Sequence, residues 1–131
     1  MTETFFTIFG IMVFLGIFVL LKRKRKKISP ETLAMAKGKI QNTSSLDPNH
    51  ALLESHKIFV STIQSLFPEK NNLTAAQVTK LVASRFPNQP RIWSFHGLRN
   101  KAAHETDIRI SIEQANSART EFIRALEALS G

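Results

Sequence analysis

The side chains best suited to acid–base or anion-binding chemistry lie in one short stretch, residues 92–104. Arg99, Asn100 and His104 fall within six residues of one another. The stretch is predicted to be a helix because its apolar residues recur at helical spacing. These residues are Ile92, Phe95, Leu98, Ala102 and Ala103. The helix is therefore the candidate functional element, and the remaining helices are expected to position it.

Arg99 is the most unusual residue of this helix. At about 100° per residue it falls in the middle of the apolar stripe. An arginine is almost never fully buried unless it is paired. We therefore expect its guanidinium to face a carboxylate such as Glu105 or Glu54, a cluster of carbonyl groups, a bound anion or a subunit interface.

The spacing of Arg99 and His104 limits how the two side chains can act together. Five residues separate them, which is about 140° around a straight helix. A single straight helix cannot aim both at one atom. Either the helix ends near Ala103, or a site pairs Arg99 of one subunit with His104 of another.

Composition excludes several kinds of site. The chain has 131 residues, enough for one domain and an appendage, and it has no cysteine. Disulfides, thiolate zinc sites and cysteine nucleophiles are thus excluded. A metal site built from His96, His104 and Glu105 or Asp107 lacks a secure set of ligands, so we expect no metal and no cofactor. The histidines at 50 and 56 are assigned no role.

The N-terminal part of the chain has the pattern of a membrane anchor. Residues 4–21 carry no charge and would span roughly 27 Å as a helix, close to the thickness of a bilayer core. Six basic residues follow: Lys22, Arg23, Lys24, Arg25, Lys26 and Lys27. This order predicts a single-pass membrane protein with its N-terminus outside and its C-terminal domain in the cytoplasm. The basic block is either an orientation signal or an additional contact with anionic lipid headgroups.

The rest of the chain predicts an all-α fold. Residues 1–27 form the anchor, and residues 28–46 are a linker with a possible short helix that begins at Pro30. Residues 47–131 form a domain of four helices. Their predicted starts are Asp47, a capping box at Thr74, Pro90 and a second capping box at Ser111. Short connections favour a four-helix up-down bundle behind the transmembrane helix.

Residues 98–104 (Leu-Arg-Asn-Lys-Ala-Ala-His) resemble the signature of the HEPN (higher eukaryotes and prokaryotes nucleotide-binding) superfamily. That signature is an arginine, a polar residue, three further residues and a histidine. The resemblance extends over about residues 51–129 and includes compact bacterial domains, some with a membrane anchor. It implies a four- or five-helix bundle that forms homodimers. Catalytic members are metal-independent endoribonucleases, whereas others bind RNA, pair with an antitoxin-like protein or act as scaffolds.

The leading hypothesis is a membrane-tethered, cytoplasm-facing HEPN-like homodimer that binds RNA. Cleavage would proceed by transesterification from the RNA 2′-hydroxyl. Arg99 would then bind phosphate oxygens, His104 would act as general acid and base, and Asn100 would orient them. The alternative is a non-catalytic interaction module in which the same three residues form a structural polar network. A third hypothesis is lipid sensing through the basic block.

Overall fold

The computed structural model describes residues 7–8, 10–13, 15 and 25–131. Every regular element that it places in these residues is helical, which confirms the all-α prediction. Residues 7–8, 10–13 and 15 are helical, and the helices after them are α1 (Pro30–Asn42), α2 (Pro48–Gln64), α3 (Ala75–Lys80), α4 (Gln89–His104) and α5 (Ile112–Ala128). Two short 3-10 turns, Thr43–Ser45 and Ala83–Arg85, follow α1 and α3.

The helices begin where the sequence predicts. The side chain of Asp47 accepts a hydrogen bond from a backbone N–H in the first turn of α2. Both capping boxes form: Thr74 and Gln77 exchange side-chain and backbone hydrogen bonds at α3, and Ser111 and Gln114 do so at α5. Each box satisfies backbone donors that a helix start leaves without an internal partner.

The end of α3 differs from the prediction. The sequence pattern favours a helix that continues almost to Pro87, but α3 ends at Lys80. The backbone at Val82 leaves the helical region, with φ of −128° and ψ of 1°. After this break the side chains of Val82, Ala83 and Phe86 are all buried in the core.

The packed unit begins earlier than the predicted domain start near Asp47. Ile28 is 2 % exposed, and its N–H donates to the carbonyl of Leu129 at 2.9 Å. In α1, Ala36 and Ile40 are four residues apart and both buried, because α1 packs against α2 and α5. The segment predicted as a linker, residues 28–46, therefore contributes directly to the hydrophobic core.

The centre of the core lies between α2 and α5. Phe59 of α2 and Phe122 of α5 are fully buried and stacked, with ring centroids 4.8 Å apart. α1 begins beside the end of α5, where Ile28 meets Leu129, and α4 begins just after Arg85, which bonds to the same carbonyl. α1 and α4 thus start at the end of the domain where α5 finishes.

The predicted transmembrane helix is not supported. Within the part of the chain that the structure describes, none of the helices combines the length and the hydropathy needed to cross a bilayer. Most of residues 4–21, and the basic residues Lys22, Arg23 and Lys24, lie outside the described residues.

Candidate functional site

The start of α4 is fixed to α5 by a buried polar cluster. Asn88 precedes the helix and donates through Nδ2 to the backbone carbonyl of Glu121 at 3.0 Å. Arg91, in the first turn of α4, lies 3.4 Å from the carboxylate of Glu121, whose side chain is only 9 % exposed. Ile92 is buried in the core beside this cluster. The first half of α4 is therefore held firmly in place.

The second half of α4 is much less covered. Ile92, Arg99 and Ala103 share one face of the helix at about 100° per residue. Along that face Ile92 is buried, Arg99 is half-buried and Ala103 is exposed. The apolar stripe predicted from the sequence is thus less covered towards its C-terminal end, where Leu98 and Ala102 pack only partly against the core and Ala103 is exposed.

Arg99 lies where this cover ends. Its Nη1 donates to Oδ1 of Asn100 at 3.2 Å, while its Nε is buried and has no hydrogen-bond partner. Among the described residues no carboxylate lies within 4.0 Å of the guanidinium. The ion pairs considered from the sequence, with Glu105 or Glu54, are not formed. The described residues therefore leave a half-buried positive charge without a counter-charge.

Beside Arg99 lies a pair of histidines that sequence reasoning missed. Nε2 of His56 in α2 and Nδ1 of His96 in α4 are 3.0 Å apart. The His56 ring also meets the edge of Phe122, and the His96 ring meets the edge of Trp93, each with ring centroids 5.7 Å apart. One imidazole donates and the other accepts, so at least the accepting ring must be neutral.

The surroundings of the pair favour neutral rings. Burial, followed by the charges of His96 and Arg99, lowers the pKa of His56 from 6.5 to about 3. The pKa of His96 is also lowered, first by burial and second by the charge of Arg99. Both histidines are consequently uncharged at neutral pH, and Arg99 carries the positive charge of the cluster.

His104 is not part of this cluster. It is exposed, and among the described residues its side chain has no hydrogen-bond partner. α4 continues through His104 and ends at the next residue, Glu105. The helix therefore does not end early enough to bring His104 beside Arg99, and one copy of the chain does not assemble the predicted Arg99–Asn100–His104 set around one point.

A signal for His56 was present in the sequence. It lies on the apolar face of α2, together with Leu52, Phe59 and Ile63 at spacings of three and four residues. A histidine on such a face requires a polar partner. That partner, His96, is forty residues away in the chain, so the sequence alone did not identify it. No group of three or more potential metal ligands is present among the described residues, so the alternative metal site is not assembled.

Comparison with known proteins gives one finding, at the N-terminus. A family model described as the LPXTG cell wall anchor motif matches residues 2–29. Residues 2–29 contain no proline and consist largely of the apolar run and the basic residues after it. It covers less than a quarter of the chain. No curated protein and no solved structure matches the chain.

This match contradicts the predicted localisation as a single-pass membrane protein with a cytoplasmic domain. The apolar run and the basic residues after it, which the positive-inside rule interprets as an orientation signal, both lie within the matched residues. The pattern alone could not separate an orientation signal from an anchor motif.

The resemblance to the HEPN superfamily is contradicted as well, since the match is to an anchor motif and not to a HEPN domain. A motif with two or three defined positions was too short to establish the family. The RNA-binding and ribonuclease functions depended on that resemblance and lose their support with it.

Proposed function

We propose that this protein is a non-catalytic interaction module that pairs two copies of its helical domain through the C-terminal half of α4. The observation that carries the proposal is the half-buried guanidinium of Arg99, which meets no carboxylate among the described residues. A charge partly removed from water is costly unless an opposite charge compensates it. An anionic group from outside the chain would supply that compensation.

The chain itself offers suitable anionic groups. Glu105 and Asp107 follow α4 directly and are exposed, and neither forms an ion pair among the described residues. A surface with an unpaired cation beside unpaired carboxylates is complementary to a second copy of itself. Such self-complementarity is what a two-fold symmetric interface requires.

The order of residues along α4 fits a two-fold axis near Ala102 and Ala103. In an antiparallel pair of helices centred there, Arg99 of one copy lies opposite Glu105 or Asp107 of the other. The small side chains at the centre allow the two helices to approach closely. The interface would thus have an apolar centre with a charge pair on each side.

The polar contacts beneath α4 serve this interface as supports. The hydrogen bond between His56 and His96 ties α4 to α2, and the bond from Arg99 to Asn100 restrains the guanidinium. A preorganised side chain loses less conformational entropy when it binds. A separate groove of about 360 Å³ lies along another face of α4. It is lined by Trp93, Ser94, Phe95, Gly97, Leu98, Lys101 and Gln114.

Disulfide trapping in the full chain tests the proposal. Because the protein has no cysteine, Ala103→Cys introduces a single thiol at the proposed axis. Two such thiols can bond only when their Cα atoms approach to about 4.4–6.8 Å. We expect mild oxidation of A103C to give a covalent dimer on a non-reducing gel. Ser84→Cys places the thiol at an exposed residue in the turn after α3, and this variant should give little covalent dimer.

A charge exchange identifies the pair that holds the dimer together. Adding Arg99→Glu to A103C should reduce cross-linking at least tenfold, and combining Arg99→Glu with Glu105→Arg, or with Asp107→Arg, should restore it. Arg124→Glu reverses the charge of an exposed arginine of α5 and should leave the cross-linking of A103C almost unchanged. Equal cross-linking of A103C and S84C, or failure of both compensating changes to restore it, would refute the proposal.

A further inference from the structure

The short segment 25–28 is fixed to the domain. The Ile28 side chain lies in the core, and its N–H donates to Leu129. Two residues before Ile28, the carbonyl of Lys26 accepts a hydrogen bond of 2.6 Å from Nη1 of Arg85. The last residues of the basic block therefore have a defined position on the folded surface and do not move as a free tail.

Side chains of this segment also contact the domain. Nζ of Lys26 lies 3.1 Å from the carboxylate of Glu69 and 4.9 Å from the centre of the Phe67 ring. Nζ of Lys70 lies 5.9 Å from the same ring centre. Phe67 is thus flanked by two ammonium groups, an arrangement that the negative face of an aromatic ring stabilises.

Together these contacts bring five cations and one carboxylate, that of Glu69, onto one surface. We call it the basic end, and its members are Arg25, Lys26, Lys27, Lys70 and Arg85. Among the described residues only Lys26 pairs with a carboxylate there, that of Glu69. Burial lowers the pKa of Arg85, and the nearby charge of Arg25 lowers it further, so these two cations crowd one another. Crowded cations without counter-charges are favourable only near an anionic partner.

The residues before the basic end indicate which partner that is. Those described within residues 4–21 expose large apolar side chains. They are Ile8, Ile11, Met12, Val13 and Leu15, with exposed fractions of 45–67 %. An apolar stretch that continues directly into a cationic surface matches the two layers of a membrane surface, acyl chains followed by headgroups.

We infer that the basic end docks on the headgroups of an anionic lipid bilayer. Ile28 fixes the chain so that Lys70 and Arg85 of the domain face the same lipid surface as residues 25–27. Docking would hold the domain in one orientation, with α1 and α4 pointing away from the bilayer. Surface contact of this kind needs no membrane-spanning helix, and it is independent of pairing through α4.

Energy transfer between the full chain and lipid vesicles tests this orientation. A donor dye is attached at Asn71→Cys beside the basic end, or at Ser44→Cys after α1, where both residues are exposed. The vesicles carry an acceptor on a lipid headgroup and consist of phosphatidylcholine alone or mixed with phosphatidylglycerol. We expect phosphatidylglycerol to raise transfer from position 71 much more than from position 44, and added salt to reverse the effect.

A matched pair of variants separates docking from general charge effects. Lys27→Gln with Lys70→Gln removes two exposed cations of the basic end. The ratio of docked to undocked molecules should fall roughly fivefold for each cation removed. Lys101→Gln with Arg109→Gln removes two exposed cations elsewhere and should leave the ratio unchanged. Transfer that is the same in both lipid mixtures, or that falls equally in both double variants, would overturn the inference.

Discussion

At the scale of single residues, burial decides which groups around α4 carry charge. His56 and His96 are kept neutral mainly by loss of water, so the one positive charge of the cluster is that of Arg99. A cluster of three basic side chains with no carboxylate would otherwise repel itself. The charge of Arg99 itself helps to keep both histidines neutral.

The same burial makes stability depend on pH. The pKa of His56 is about 3 in the folded protein and near 6.5 when unfolded, so the unfolded chain binds the proton first. This contribution is complete above about pH 6.5 and is lost as the pH falls towards 3. We expect the melting temperature to decrease over that interval, with a total effect of a few kcal/mol. Thermal unfolding at successive pH values measures it.

A substitution assigns that dependence to the histidine pair. His56→Leu should flatten the pH dependence, whatever it does to stability at neutral pH, because it removes the group that titrates. His104→Leu, at an exposed position, should leave the slope unchanged. An unchanged slope in His56→Leu would show that other groups cause the acid destabilisation.

Residue types and spacing predicted part of this cluster. They placed Arg99 in the apolar stripe of α4 and beside Asn100, and the structure shows this placement. They could not predict that Arg99 lacks an ion pair, because that depends on where the acidic side chains lie after folding. The histidine pair was missed for the same reason, since it joins two helices.

At the scale of elements, one asparagine holds the connection between α4 and α5. Nδ2 of Asn49 donates to the carbonyl of Ile108 at 2.9 Å, and its Oδ1 accepts from the N–H of Ile110 at 2.8 Å. The short connection is thereby fixed to the first turn of α2. Both polar groups of one side chain are used, so the site depends on its full amide.

Asn49→Ala should therefore lower the free energy of unfolding by about 1–3 kcal/mol, because two partly buried backbone groups lose their partners. Chemical denaturation measures this change. Asn71→Ala, an exposed asparagine without a side-chain hydrogen bond among the described residues, is the matched control and should have almost no effect. Equal losses of unfolding free energy in the two variants would show that the hydrogen bonds of Asn49 do not stabilise the fold.

Helix starts were predictable because capping depends on residues close together in the sequence. The ends of the helices were harder to predict from the sequence. α3 ends at Lys80, and the turn that follows buries Val82 and Ala83 in the core, a contact that depends on how the whole domain packs. Local signals predict elements well where tertiary packing agrees with them, and they fail where packing prevails.

At the scale of the whole molecule, the main difference from the sequence-based interpretation is the start of the folded unit. The polar residues 41–45 suggested a flexible linker, but they form the end of α1 and a 3-10 turn. Only two residues of α1 are buried, Ala36 and Ile40, which is too weak a pattern to predict packing. The decisive residue, Ile28, directly follows six basic residues and was therefore assigned to the linker.

A matched pair of isoleucines tests this boundary. Ile28→Ala removes a side chain that is 2 % exposed and should destabilise the domain by about 2–5 kcal/mol, the usual cost of a cavity in a packed core. Ile112→Ala makes the same chemical change at a side chain that is 69 % exposed and should stay within about 0.5 kcal/mol of the parent. Because the composition change is identical, denaturation of the two variants isolates the effect of burial. Equal stability of the two variants would mean that Ile28 lies outside the core and that the domain starts near Asp47. A large difference would mean that the basic end is a fixed part of the fold.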